Sequence, residues 1–198
     1  ARGRGEGEKA VDYAKAAVVR FDASEGLKGG FGHALALCRT GEALIELNKL
    51  DEANDILSKA FSFIEAQFGA GDIRTGLALT ALARLYARTG DAVSAEGLFR
   101  GVESKLNVDT PVYVESPCAW HPSMLSVAAL GTANYLHFAD MLDKLSWNNT
   151  PRSAEAEACR RKARALRKAC GLQEEGARPE PGRALMRDMW AAEMMSGK

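Results

Sequence analysis

The chain has 198 residues, and its 26 Lys and Arg are matched by 26 Asp and Glu. Alanine is the commonest residue and aromatic residues make up 7%, a composition that suits closely packed helices around a real core. Neutrality argues against nucleic-acid binding by bulk electrostatics, and no apolar run approaches the roughly 20 residues that a membrane-spanning helix needs.

Residues 1–7, ARGRGEG, are polar and glycine-rich and read as a flexible lead-in without the pattern of a secretory signal. The chain opens on Ala1 rather than Met, so a processed or trimmed form is expected. Residues 8–22 place Ala10, Tyr13, Ala14, Ala17 and Phe21 at helical spacing, which predicts an amphipathic helix. The run GLKGGFG at 26–32 then punctuates the chain.

Two helices are expected at 33–47 and 51–67, with Leu37, Leu44 and Leu47 on the first and Leu50, Ala53, Leu57, Ala60 and Phe61 on the second. Asn48 fits the turn between them because Asn tolerates the left-handed conformation at a helix end. After FGAGD at 68–72, helices at 73–89 and 92–105 flank Gly90-Asp91. There Gly90 supplies the permissive backbone, and Asp91 can cap the amides that follow.

All six prolines lie at or after Pro111, and the segment 107–122 reads as a loop. A helix follows at 123–145 through Leu125, Ala128, Ala129, Thr132, Tyr135, Phe138 and Leu142. SWNNTP at 146–151 breaks it, and Pro151 fits near the start of the next helix at 152–169. That helix carries seven Arg and Lys against two Glu. Residues 171–181 form a linker, and 182–198 hold a C-terminal capping or docking helix. The whole reads as eight helices and no sheet.

Within this series a pattern recurs at an offset of 42 residues. It pairs Leu37 with Leu79, Gly41 with Ala83, Leu44 with Tyr86, Asn48 with Gly90, Ala53 with Ala95, Leu57 with Phe99 and Ala60 with Val102. The physical sense is that small residues sit where two antiparallel helices cross, larger ones fill the groove, and Gly or Asn makes the turn.

The pattern resembles the tetratricopeptide repeat. Leu79, Leu82, Ala83, Tyr86, Gly90, Ala95, Phe99 and Val102 match its signature positions, with Leu79 where Trp is often found. Thr40 and Leu44 depart from the signature in the first repeat. The period exceeds the family's usual 34 or so and is similar to the longer repeats of kinesin light chains. There a loop with Gly and His-Pro precedes each unit, as His121-Pro122 does here. A third, degenerate repeat would hold Ala128, Gly131, Thr132 and Tyr135 and then helix 152–169, with Ala156/Ala163 or Ala158/Ala165 as its small pair. Helix 8–22 would be a second helix without its first, or a cap. The resemblance covers about 8–170 and implies an all-α, right-handed solenoid of antiparallel helix pairs. Its first helices would line a concave groove with Arg39, Glu42, Glu46, Thr80, Arg84, Arg88 and Asn134.

Candidate chemistry is sparse. His33 reads as a polar residue at a helix start, and His121 and His137 lie too far from it for a metal pattern. Cys118 and His121 could share a zinc, yet no second ligand pair accompanies them. No GxSxG elbow occurs, and GLKGGFG lacks the spacing of a phosphate loop. The sequence therefore reads as neither an enzyme nor a cofactor or metal binder. Cys38, Cys118, Cys159 and Cys170 form no CxxC pair and read as free thiols of an intracellular, reducing compartment.

Two helices invite contacts. Arg160, Arg161, Lys162, Arg164, Arg167 and Lys168 span more than one face of 152–169, either as a solvated surface or as a basic patch for an acidic protein, RNA or membrane surface. Leu185, Met186, Met189, Trp190 and Met194 share one stripe of the last helix, which suits capping or docking. The resemblance implies a scaffold or adaptor binding one or more proteins. The alternatives are a structural or assembly subunit of a large multiprotein complex, and an RNA-associated protein using helix 152–169.

Overall fold

A computed structural model describes residues 2–106, apart from 25, 27 and 29, and residues 122–169, apart from 148 and 149. The loop segment through His121, Cys118, Cys170, the linker and the terminal helix with its Leu185–Met194 stripe lie outside the described residues. What is described is all-helical apart from one minute ladder, and it forms two compact units, Ala1–Gly101 and Val102–Lys198. No described helix is long and apolar enough to cross a membrane.

The first unit holds α1 (Arg2–Asp22), α2 (Phe31–Glu46), α3 (Leu50–Phe68), α4 (Thr75–Thr89) and α5 (Ala92–Leu106), the last of which runs on into the second unit. Helix α1 begins at Arg2 rather than at Glu8, so it takes in most of the expected lead-in. Its inward face keeps the expected Ala10, Ala14, Ala17 and Phe21 half-buried and departs from the expectation at Tyr13. Val11 is buried, with Val18 packed against the interior, while Tyr13 is 78% exposed. Branched Val residues gain from full burial, whereas Tyr carries a hydroxyl that water satisfies at no cost. A Cβ added at Gly7 would lie 2.9 Å from the Leu47 side chain, and one at Gly32 would lie 3.2 Å from the Phe21 ring. Helix α1 therefore runs antiparallel along α2.

Helices α2 and α3 form the first hairpin. Asn48 takes φ 59°, and the Lys49 amide donates to the Leu44 carbonyl at 2.9 Å. Leu44, Ala53, Leu57, Ala60 and Ile64 are fully buried between the helices, with Cys38 beside them. Burial pushes the Cys38 thiol well above its usual range, so it stays protonated. At the crossing, a Cβ on Gly41 would collide with Leu57.

Helix α4 starts at Thr75, after a turn in which Asp72 accepts from the Arg74 backbone amide and from its guanidinium, each at 2.8 Å. That guanidinium lies 3.4 Å from the centre of the Phe68 ring. Between α4 and α5, Gly90 takes φ 91° and Asp91 Oδ1 accepts from the Ser94 amide at 3.1 Å, as the sequence predicts for a turn and a cap. Ala95 and Phe99 are fully buried, and Leu98 packs against the core formed by Leu44, Leu57, Leu82 and Leu85.

The 42-residue offset thus has a physical counterpart. Both turn residues, Asn48 and Gly90, have positive φ. Gly41 and Ala83, Ala53 and Ala95, Leu57 and Phe99, and Ala60 and Val102 are all buried.

The second unit contains the end of α5 with buried Val102 and Leu106, then α6 (Pro122–Lys144) and α7 (Ser153–Ala169). Between these two helices lie strands β1 (Ser146–Trp147) and β2 (Thr150–Pro151), paired antiparallel with Ser146 opposite Pro151. The expected simple break is therefore a two-residue ladder. Pro151 lies in its second strand, just ahead of Ser153 and so near the start of the next helix as expected, a place that proline tolerates because this strand is an edge. Helices α6 and α7 pack together around Gly131, where a Cβ would lie 2.8 Å from Leu166 and 3.3 Å from Leu106. Ala156 and Ala163 are the buried small pair of α7, while Ala158 and Ala165 are half-buried.

Candidate interaction surface

The groove residues expected on the first helices divide by burial. Helices α2 and α4 lie side by side in the same direction, and four candidates meet on that seam. Arg84 donates to Glu46 at 2.7 Å and stands 3.6 Å from Glu42, while Arg39 donates to Glu42 at 3.1 Å. Arg84 is the most enclosed of these charges and Glu46 the most open, with side-chain exposures of 16% and 61%. The result is a mixed-sign ridge, with Arg88 exposed one turn beyond Arg84.

Thr80 and Asn134 are different. Thr80 is 6% exposed and Asn134 fully buried, so neither presents its side chain on an open surface. The sequence registers place them on a solvent-facing stripe, but both helices bury more of their circumference than a two-helix hairpin requires. In α6 the buried positions run through Ala128, Ala129, Leu130, Thr132, Asn134 and Tyr135, a nearly complete circuit.

The basic patch on α7 is also divided. Arg160 bridges to Asp143 and lies 3.7 Å from Asp140, both on α6. Lys162 bridges to Glu103 of α5 and sits 5.2 Å from the centre of the Tyr135 ring. Glu103 also accepts from the Tyr135 hydroxyl at 3.4 Å, and burial together with the Glu103 charge pushes that phenol up. Arg164 pairs with Glu157 and holds its carboxyl below the usual range. Arg167 is half-buried, with its Nε enclosed and lacking a hydrogen-bond partner among the described residues. Arg161 and Lys168 remain exposed. Among the described residues, three of the six cations are therefore matched by acids, and the patch is weaker than its sequence suggests.

His33 is more than a polar helix-start residue. Its side chain is wholly buried on α2, with its ring stacked at 5.8 Å on Phe21 of α1 and tilted against Phe63 of α3 at 5.1 Å. Nothing in the local sequence distinguishes this aromatic slot from an ordinary helix start. The only hint is a His beside glycines that let a neighbouring ring approach. Cys38 and Cys159 are buried, and no disulfide joins them to another described residue. Among the described residues, no three His, Cys, Asp or Glu stand close enough to hold a metal ion.

Comparison with protein-family models gives no match, and comparison with curated proteins gives none either.

Proposed function

We propose that the protein is a protein–protein interaction scaffold, built as a tetratricopeptide-like right-handed solenoid whose stacked first helices offer a preformed groove. The observation that carries this reading is the 42-residue equivalence. Two hairpins share a turn residue of positive φ and the buried pairs Gly41/Ala83, Ala53/Ala95, Leu57/Phe99 and Ala60/Val102, and their first helices lie side by side. Stacked hairpins of this kind bind without first ordering a flexible surface, which lowers the cost of association. The ridge of Arg39, Glu42, Glu46, Arg84 and Arg88 gives the groove a mixed-sign rim, suited to a polypeptide with both charged and polar groups.

The RNA reading draws less support, because Arg160, Lys162 and Arg164 already face acids of the same chain. Of this patch, a phosphate backbone would have to displace those acids or bind through Arg161, Lys168 and the half-buried Arg167. Use as an assembly subunit remains compatible with the same groove.

The test is comparative affinity purification from native extract. Arg88→Glu alters the ridge, whereas Asp55→Lys alters an exposed position of α3. Loss of a stoichiometric protein partner in Arg88→Glu but not in Asp55→Lys is the expected result. Partners unaffected by both changes would move the contact elsewhere, and salt-sensitive recovery of RNA without protein would favour the other reading.

A further inference from the structure

Helix α1 turns Val11 and Val18 inward, and its opposite face is open. Asp12, Ala16 and Arg20 follow one another along that face at i, i+4 and i+8, so they form one ridge, and all three are exposed. Tyr13 flanks the ridge on one side and Val19 on the other, 78% and 64% exposed. Among the described residues, only Val93 on α5 is another large apolar side chain as open to water. Apolar side chains left singly on a surface are ordinary, whereas two that bracket one ridge make a patch. Lys15, beside this face, bridges to Glu52 of α3, but Asp12 and Arg20 have no ion-pair partner among the described residues.

We propose that this face of α1 binds the same face of a second copy of the chain, the two helices crossing antiparallel at Ala16. The order of charges along the ridge selects that occupant. An acid lies one turn before Ala16 and a base one turn after it. Reversing the helix about Ala16 therefore sets Asp12 against Arg20 of the second copy, and Arg20 against its Asp12. A two-fold contact makes each pairing twice, and only a self-complementary surface can form one. A parallel arrangement would instead set like charges together.

The apolar residues fit the same geometry. Ala16 has no side chain beyond Cβ, so the ridges approach closely at the crossing, and Tyr13 and Val19 lose water on its two flanks. Lys9 is also exposed on this face and comes to lie at the C-terminal turn of the second copy's α1, where carbonyl ends favour a cation. One helix against one helix is a small interface, so the dimer is weak, and its rim charges make it sensitive to salt.

Sedimentation of the full chain from micromolar to millimolar concentration tests this. The wild type should pass from monomer to dimer, less readily in added salt. Asp12→Arg and Arg20→Asp each place like charges together twice, and each should weaken the dimer about tenfold or more. An equimolar mixture of the two variants restores opposite charges and should associate as tightly as the wild type. Arg88→Glu, on the α2–α4 ridge, should leave the dimer unchanged. Should Arg20→Asp loosen α1 itself, cross-linking decides. Ala16→Cys lies on the two-fold axis and should form an interchain disulfide, above the wild-type background, much faster than Ala23→Cys, whose two copies would stand about 21 Å apart along the helices. A monomer at every concentration would leave the face to another partner or to water and overturn the proposal. So would a dimer that both charge reversals leave unchanged, a dimer lost in Arg88→Glu, or equal cross-linking at the two positions.

Discussion

At Gly41 a single added carbon would strike Leu57, whose side chain is wholly enclosed and has no room to swing away. Gly41→Ala should therefore destabilise the protein by about 1–3 kcal/mol in urea unfolding, the usual cost of overpacking. The same change at Gly97 meets open space on α5 and should stabilise by about 0.5–1 kcal/mol through helix propensity. Turn positions separate in a similar way. Gly90→Ala forces a Cβ into a left-handed conformation and should cost about 1–2 kcal/mol, whereas Asn48→Gly should be close to neutral in thermal melts. These residue-level roles were legible in advance, because Gly and Asn encode the backbone freedom they supply. Tyr13 was not, since α1 can bury either of two overlapping stripes and the choice rests on what α2 presents to it.

Between elements, charges find partners that a single helix does not reveal. Arg160, Lys162 and Arg164 looked like a continuous patch, yet the first two are answered by acids of α6 and α5. The seam between α2 and α4 carried a usable signal: the 42-residue offset sets Glu42 opposite Arg84 and Glu46 opposite Arg88, opposite signs at equivalent positions. Thr80 and Asn134 were misplaced because the pattern fixes which face a hairpin buries internally, but not what the next element covers. A double-mutant cycle with Glu46→Gln and Arg84→Gln measures how much the seam contributes. A coupling of about 0.5–1 kcal/mol is expected, reduced by added salt, since Glu46 is largely open to water. Zero coupling at low salt would leave the α2–α4 association to apolar packing and the Arg84–Glu42 pair.

For the molecule as a whole, the repeat predicts how damage spreads. Most helix pairings are between sequence neighbours: α1 with α2, α2 with α3, α3 with α4, and α6 with α7. Each unit also has its own tight crossing, Gly41 against Leu57 in the first and Gly131 against Leu166 in the second. In the proposed solenoid, stability is close to a sum of local terms and nearest-neighbour interfaces rather than one indivisible quantity. Gly131→Val should therefore lower hydrogen-exchange protection in α6 and α7 before it touches α2 and α3, and Gly41→Val should do the reverse. Uniform loss in both units from either substitution would mean that the chain unfolds as one cooperative body. A nearest-neighbour solenoid could not then account for its stability, however well its hairpins match.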